Sequence, residues 1–441
     1  MTKFQVAVIV VCFLINIVEG IDVFMMSFIM PSLSAEWGLT PVQIGYLLSA
    51  ALTGMTIGAF VLSPLADRFG RRNLILGSLV LVTLGLFLSY FSTDVTQLIV
   101  LRTITGLGVG AAMASVSVLV SEYSSEKHSG LAMGLYTTGY PLGGLLAGAT
   151  IGAIVKPLGW HYAFLLAAGA TFVVLVLALF FLTESLDFLT AKQPRNALKR
   201  INVIVAKLGQ LPLAELPARE QGRAPSFSAV IREVFGRRMI GITLLIWLAY
   251  GLLQAAFYFT TSWTPQAFTI VTGDKQLGIT AGSLVSLGGI LGSVIFAVLS
   301  VWVAKRVLTV AFLCAAAVIY VIFSNSLGAI SLALLLAVCL GLINNAAIAG
   351  FYTLGPRIYS PVGRATGFGW MLGAGRIASI VSPIIVGYLI NAQWSVGSIF
   401  AMFAAPLLLS ACALLAVVGL QKRQEREPAI EAVPAGVGQR A

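Results

Sequence analysis

Twelve apolar stretches, each long enough to cross a lipid bilayer as a helix, dominate this 441-residue chain. A helix needs about 20 residues to cross roughly 30 Å of hydrocarbon. The strands of a membrane barrel would be about ten residues long and would alternate polar with apolar residues, which excludes a barrel. The sequence therefore predicts an all-α integral membrane protein with 12 transmembrane helices. The predicted spans are 5–31, 42–62, 73–91, 97–121, 130–155, 161–183, 239–264, 280–303, 307–324, 328–355, 365–391 and 397–420.

The composition excludes several classes of protein. Apolar residues make up 59% of the chain and charged residues 10%, whereas soluble domains have roughly 45–50% and about 25%. A cytosolic enzyme, a secreted disulfide scaffold and a nucleic-acid-binding module are therefore excluded. The four cysteines lie singly inside apolar runs and the two histidines lie near span ends. Neither a disulfide framework nor a metal site is predicted.

The positive charges predict the topology. With the N-terminus in the cytoplasm, 23 of the 27 Lys and Arg residues fall in cytoplasmic segments, and only Lys156 and Lys275 fall in outer loops. This asymmetry follows the positive-inside rule. Both termini are therefore expected in the cytoplasm, and topology rather than nucleic-acid binding explains the net charge of +11.

One long polar stretch divides the spans into two sets of six. The predicted parts are a six-helix bundle over 1–183, a cytoplasmic linker over 184–238, a second six-helix bundle over 239–420 and a disordered tail over 421–441. Apolar residues at helical spacing near 197–208 and 227–235 predict two amphipathic helices on the inner membrane surface.

The two halves repeat in sequence. Gly106 to Ala114 aligns with Gly341 to Ala349 at an offset of 235 residues, and the same offset places Glu122 opposite Arg357. Parallel six-helix repeats are typical of transporters whose site lies between two rocking halves near mid-membrane. A channel or a membrane enzyme gives no reason to expect this pseudo-symmetry.

Two acidic residues lie well inside the first span. Glu19 and Asp22 are three residues apart and share one helix face. A carboxylate in mid-bilayer costs about 2.5–3.5 kcal/mol on insertion scales, so the pair needs a cavity, a cation or a proton. We expect Asp22, assisted by Glu19, to take a proton from outside and so couple transport to protons. The alternative is a permanent ion pair with Arg102 or Arg376.

Two arginines lie inside spans. Arg376, among small residues in the eleventh span, predicts either an anchor for an anionic substrate, through two parallel hydrogen bonds, or a partner for Asp22. Arg102 is less deeply placed in the fourth span and is expected to reach the outer surface, which makes it a weaker substrate ligand. Polar residues expected to line the same cavity are Gln254, Tyr258, Asn344 and Asn345.

Two motifs resemble those of the major facilitator superfamily. The loop Ser63-Pro64-Leu65-Ala66-Asp67-Arg68-Phe69-Gly70-Arg71-Arg72 resembles its signature loop, with Ser63 where that pattern has Gly. Arg102 through Ala112 resembles its fourth-span motif. This resemblance implies two pseudo-symmetric bundles and, by analogy of fold, a monomer.

Shorter motifs resemble the aromatic acid:proton symporters of that superfamily. Glu19-Gly20-Ile21-Asp22 resembles their Asp-Gly-x-Asp element, with Glu in the first place. This resemblance implies import of benzoate, hydroxybenzoates or related aromatic acids with protons across the bacterial inner membrane. The proton gradient would be the energy source, and no cofactor is expected. Further matching segments are Glu122-Tyr123, Gly139-Tyr140-Pro141-Leu142-Gly143, Glu184-Ser185, Ser262-Trp263-Thr264-Pro265, Arg364-Ala365-Thr366-Gly367 and Gly375-Arg376-Ile377.

The resemblance also implies a cytoplasmic gate. Its residues would latch the halves in the outward-open state and separate when the cavity opens inward. For Arg72 a topological role alone is expected. The predicted gate residues are Asp67, Arg68, Arg71, Glu122 and Arg357.

Three other functions are weighed against import of an aromatic acid. The first is a proton-driven exporter, or a symporter of another small organic metabolite, with the same fold. Tyr140 separates Gly139 from Pro141 where antiporters often have Gly-Pro, which disfavours export. The second is a non-transporting sensor, for which no added signalling domain is visible. The third is an enzyme, for which no nucleophile, base and orienting group converge.

Overall fold

The computed structural model describes residues 1–125, 129–194, 196–209, 211–216, 227–359 and 364–431. Within these ranges the regular secondary structure is entirely helical. Twelve helices there are long and apolar enough to cross a membrane. The predicted all-α membrane fold with 12 transmembrane helices is confirmed, while the cytoplasmic placement of the termini stays a prediction.

The helices of the first half lie between residues 3 and 181. Six of them span the membrane, and the second span continues from α2 through a π-helical and a 3₁₀ turn to Leu65. The helices are α1 (Lys3–Trp37), α2 (Pro41–Ile57), α3 (Ala66–Phe69), α4 (Arg71–Ser89), α5 (Val95–Tyr123), α6 (Ser129–Leu158) and α7 (His161–Phe181).

The linker and the second half follow in the same pattern. Three short helices precede the seventh span, and the last span is formed by two consecutive helices. The linker helices are α8 (Leu186–Lys192), α9 (Ala197–Lys207) and α10 (Phe227–Phe235). The helices of the second half are α11 (Ile240–Thr272), α12 (Lys275–Leu299), α13 (Lys305–Ser326), α14 (Ile330–Ile358), α15 (Arg364–Asn391), α16 (Val396–Met402) and α17 (Ala404–Glu431).

The first helix is longer than its predicted span. Its 35 residues begin at a capping box, in which the Thr2 hydroxyl accepts from the Gln5 backbone N–H and the Gln5 side chain accepts from the Thr2 N–H. The helix passes through Pro31 and ends at Gly38, which has a φ of 60°. The apolar run therefore sets the minimum length of this helix, and the caps set its ends.

Glycines allow equivalent helix pairs to pack closely in both halves. A Cβ atom on Gly106 of α5 would lie 2.1 Å from the Ala51 carbonyl oxygen of α2. A Cβ atom on Gly341 of α14 would lie 1.9 Å from the Val285 carbonyl oxygen of α12. Small residues let membrane helices approach in this way. The repeat read from the sequence therefore corresponds to two equivalent backbone contacts.

The most extensive contacts between the two halves are made by two helix pairs. In the α2–α15 pair, the Ser49 hydroxyl donates to the Ile380 carbonyl oxygen at 2.7 Å. In the α6–α12 pair, Gly148 lies against the Ser283 side chain. Both contacts lie toward the end of the molecule that carries loops 38–40 and 392–395. These contacts close that end of the space between the halves.

The linker packs against both halves: α9 packs against the first half, and α10 packs against α11 and α15 of the second half. Ile201 and Ile204 of α9 are buried in one cluster with Val8 and Cys12 of α1. The linker helix α8 was not predicted.

The last helix extends past its predicted span. The helix α17 continues to Glu431, so the predicted tail is helical up to that residue. The run after residue 420 is rich in Gln, Lys, Arg and Glu, which are good helix formers.

Candidate functional site

A buried ion pair joins α1 to α5. The Arg102 guanidinium donates to Asp22 Oδ1 at 2.6 Å and to the Asp22 carbonyl oxygen at 3.1 Å. The two side chains are 0% and 1% exposed, and the guanidinium carbon lies 6.0 Å from the centre of the Phe164 ring. The expectation that Arg102 reaches the outer surface is therefore wrong. The nearby carboxylate holds it inside, because a buried charge is tolerated where it is paired and hydrogen-bonded.

Glu19 is buried without such a cation. It lies one helical turn before Asp22, its side chain is 6% exposed, and its Oε1 atom has no hydrogen-bond partner among the described residues. Arg376, Tyr136 and Tyr140 lie within electrostatic range of its carboxyl group. The two acids of the first span therefore have different surroundings, although the sequence places them on one face.

Arg376 lies between the halves. Its guanidinium donates to the Tyr258 hydroxyl at 3.1 Å and to the Met113 sulfur at 3.2 Å. Tyr258 belongs to α11 of the second half, and Met113 belongs to α5 of the first half. In the part of the chain that the structure describes, no carboxylate pairs with Arg376, and Asp22 pairs with Arg102 instead. The described hydrogen-bond partners of the Arg376 guanidinium are therefore both neutral.

Tyrosines surround this guanidinium. Tyr140, Tyr258 and Tyr352 lie within electrostatic range of it, and the ring of Tyr250 packs against that of Tyr352. Tyr352 is 46% exposed although it lies inside α14, so the cluster is reachable from the end opposite the closed contacts. These rings give the site apolar faces together with phenolic hydroxyl groups.

Some of these residues were not expected at the site. Met113, Tyr136, Tyr250 and Tyr352 are not among the site residues that the sequence predicts. A usable signal existed for Tyr250, which lies eight residues before Tyr258 and thus near the same helix face. For Met113 no signal existed, because a methionine in an apolar helix looks like any packing residue.

The predicted amide residues separate into two groups. Gln254 lies one turn before Tyr258, next to Gly375, and its Oε1 atom is buried without a described partner. Asn344 instead donates to the Tyr320 hydroxyl at 3.0 Å within the second half. Asn345 donates to the Gly341 carbonyl oxygen at 3.0 Å. The structure therefore brings Gln254 and Tyr258 to Arg376, whereas the described hydrogen bonds of the two asparagines stay within the second half.

Two of the predicted gate residues, Arg71 and Glu122, form a network beside the first half. Arg71 pairs with Glu122, and the Ser185 hydroxyl donates to the same carboxylate at 2.9 Å. Arg68 is exposed and lies over the ring of Phe69. The side chain of Asp67 lies outside the part that the structure describes. The described contacts of Arg71 and Glu122 therefore join spans of one half rather than the two halves.

Arg72 and Arg357 take positions that the sequence did not indicate. Arg72 donates to the carbonyl oxygens of Leu179 and Leu182 at 2.8 and 2.7 Å, which satisfies the C-terminal end of α7. Its backbone N–H donates to Glu184 at 3.1 Å. Arg72 thus has a structural role beyond topology. Arg357 lies near the end of α14, in a cavity of the second half.

Comparison with known proteins gives one family. A family model described as the Major Facilitator Superfamily matches residues 12–367. The 4-hydroxybenzoate transporter PcaK of Acinetobacter baylyi is 32% identical over 94% of this chain and 91% of its own length. The gallate transporter of Pseudomonas putida is 30% identical over 94% and 92%. The solved structure of the xylose transporter XylE from Escherichia coli superposes with a TM-score of 0.73 at 15% identity, covering 94% of this chain and 99% of that one.

Proposed function

Because the chain belongs to the Major Facilitator Superfamily, it is a multi-pass membrane transporter and not an enzyme, and we propose that it imports a small aromatic carboxylate together with protons. Import would take place across a bacterial inner membrane, with a single copy of the chain as the working unit. The relatives named for 4-hydroxybenzoate and gallate support the substrate class.

One observation carries the substrate proposal. Arg376 presents guanidinium donors whose described partners are a phenol oxygen and a thioether sulfur. A carboxylate accepts two parallel hydrogen bonds from a guanidinium and is a far stronger acceptor than either group. The tyrosines around Arg376 offer flat apolar surfaces for an aromatic ring. An aromatic carboxylate matches both features at once.

Proton coupling is proposed for energetic reasons. Importing a monoanion against an inside-negative potential costs about 2.3 kcal/mol per 100 mV, a factor of roughly 50 at equilibrium. One proton cancels the charge of the anion, and a second would make uptake electrically driven. Glu19, rather than the Asp22 that the sequence favours, is the acid proposed to take and release the proton, because Asp22 is paired with Arg102 whereas no ion pair involves Glu19 among the described residues.

The test is uptake into proteoliposomes. The purified full-length chain is reconstituted, a pH gradient is imposed, acidic outside, and uptake of radiolabelled 4-hydroxybenzoate, gallate and benzoate is measured beside that of xylose. We expect accumulation of at least one aromatic acid that collapses with a protonophore, and none of xylose. Absence of uptake for every aromatic acid, or efflux driven by the same gradient, would contradict the proposal and favour another metabolite or an exporter.

A further inference from the structure

A cavity of about 450 Å³ lies in the second half, away from the proposed substrate site. It is bounded by the α12–α13 loop, the first turn of α13, the last turn of α14 and the middle of α17. This end of the molecule carries the loops predicted to be cytoplasmic. The cavity therefore lies near the level of the lipid headgroups of the predicted inner leaflet.

Three cations line this cavity. They are Lys305 and Arg306 at the start of α13 and Arg357 near the end of α14. None of them pairs with a carboxylate whose side chain the structure describes. In the first half, by contrast, Arg71 is neutralised by Glu122. The cavity of the second half therefore concentrates positive charge without a matching described acid.

The backbone at the start of α13 adds to the positive electrostatic potential of the cavity. Ala304, which precedes the helix, has no side-chain oxygen to cap it. The first turn of a helix presents free N–H groups and a partial positive charge, so two cations placed there are unfavourable in the absence of an anion. A phosphate bound between them would accept from these donors and neutralise the cations.

Most of the remaining cavity lining is apolar, with Ser300 and Gln421 as polar members. Leu354 of α14 and Leu414 and Val417 of α17 form a buried wall, and Val301 of the loop is 75% exposed. Trp302, in the loop that borders the cavity, is 75% exposed. Exposed tryptophans are typical of the membrane–water interface. The cavity therefore joins a cationic side to a surface suited to hydrocarbon, and a free phosphate would leave that surface unused.

We propose that this cavity binds the headgroup phosphate of an anionic phospholipid, with Lys305, Arg306 and Arg357 as its ligands. The acyl chains would run past Val301 and Trp302, which line the cavity and are each 75% exposed. Basic pockets between membrane helices on the cytoplasmic side bind anionic headgroups in this manner. This cavity is separate from the residues around Arg376, so the lipid proposal does not depend on the identity of the transported substrate.

The test measures lipid retention by the full-length protein. The chain is purified in detergent with phosphatidylglycerol and phosphatidylcholine at equal amounts, and bound lipids are counted by native mass spectrometry. The test variant is Lys305→Gln/Arg306→Gln/Arg357→Gln. The matched control, Lys199→Gln/Lys207→Gln/Arg237→Gln, removes three exposed cations of the linker region. Size-exclusion profiles show that each variant folds, and the single variant Arg357→Gln serves if the triple variant does not.

We expect the wild type and the control to prefer phosphatidylglycerol, and the test variant to lose about tenfold or more in its affinity for that lipid. The conservative variant Arg357→Lys should keep most of the preference. Equal loss in the control would assign the effect to net charge and overturn the proposal. An unchanged preference in the test variant would also overturn it, and so would displacement of the lipid by inorganic phosphate alone.

Discussion

At the scale of single residues, the neutral partners of Arg376 are the main reason to expect a carboxylate at the site. A guanidinium held only by a phenol and a thioether gains from a carboxylate that can replace the thioether. Met113 would then leave the guanidinium when substrate arrives. Because Met113 and Arg376 belong to different halves, this exchange would alter a contact between the halves at the moment of loading.

Replacing Arg376 should weaken substrate binding. In Arg376→Gln the charged hydrogen bonds to the carboxylate are lost, which costs about 2 kcal/mol and thus roughly 30-fold in affinity. Arg376→Lys keeps the charge but not the fork and should show a smaller loss. The check is equilibrium binding of 4-hydroxybenzoate to purified protein, with Arg237→Gln as a control outside the spans. Unchanged binding in Arg376→Gln would show that the anion binds elsewhere.

Removing one partner of the buried Asp22–Arg102 ion pair should destabilise the protein more than removing both. Arg102→Gln leaves Asp22 buried without its cation, which should cost about 3–5 kcal/mol of stability. The double variant Asp22→Asn/Arg102→Gln removes both charges and should recover a large part of that loss. Thermal unfolding in detergent measures the series. A double variant no more stable than Arg102→Gln would mean that the pair does not hold α1 against α5.

At the scale of helices, the sequence predicted the number and type of elements well, because apolar length and composition alone define a membrane span. It did not predict which arginine meets Asp22. That outcome depends on the rotation of each helix about its axis, which is set by packing against neighbours. The contact between Gly110 and the Met55 carbonyl oxygen is one of the packing contacts that fix this rotation for α5.

This packing leads to a test on matched glycines. In Gly110→Ala the new methyl group would lie 1.9 Å from the Met55 carbonyl oxygen, so α2 and α5 must separate and stability should fall. In Gly169→Ala of α7 nothing lies within 4 Å, and the higher helix propensity of alanine should leave stability unchanged or raise it by up to about 1 kcal/mol. The melting temperature should therefore fall in Gly110→Ala and stay unchanged or rise in Gly169→Ala.

At the scale of the whole molecule, the offset of 235 residues indicated two equivalent halves, and the glycine contacts of α5 and α14 agree with it. The conformation could not be predicted, because both conformations of a rocking carrier have the same sequence. The structure shows one of these conformations, in which the α2–α15 and α6–α12 contacts close one end of the space between the halves. The tyrosines around Arg376 remain reachable from the other end.

Locking the closed end should stop transport. A Cβ atom on Gly148 would lie 3.0 Å from the Ser283 Cβ, just below the usual Cβ separation of about 3.5–4.5 Å in disulfides. The variant Gly148→Cys/Ser283→Cys, in a chain whose four native cysteines are replaced, should therefore form a disulfide when oxidised. Uptake by the double variant should stop on oxidation and return with reductant. Oxidation should leave the uptake by each single variant unchanged. Full uptake by the oxidised protein would contradict movement of these two helices during transport.

The most direct measurement compares two assays of the variant Glu19→Gln in proteoliposomes. Counterflow requires substrate binding and movement of the loaded halves, whereas accumulation driven by a pH gradient also requires proton release. With Glu36→Gln as the same substitution near the end of the same helix, the account predicts that Glu19→Gln keeps counterflow of 4-hydroxybenzoate and loses accumulation, while the control keeps both. Accumulation by Glu19→Gln at the wild-type rate and level would contradict the assignment of proton coupling to the buried, unpaired carboxyl group of the first span.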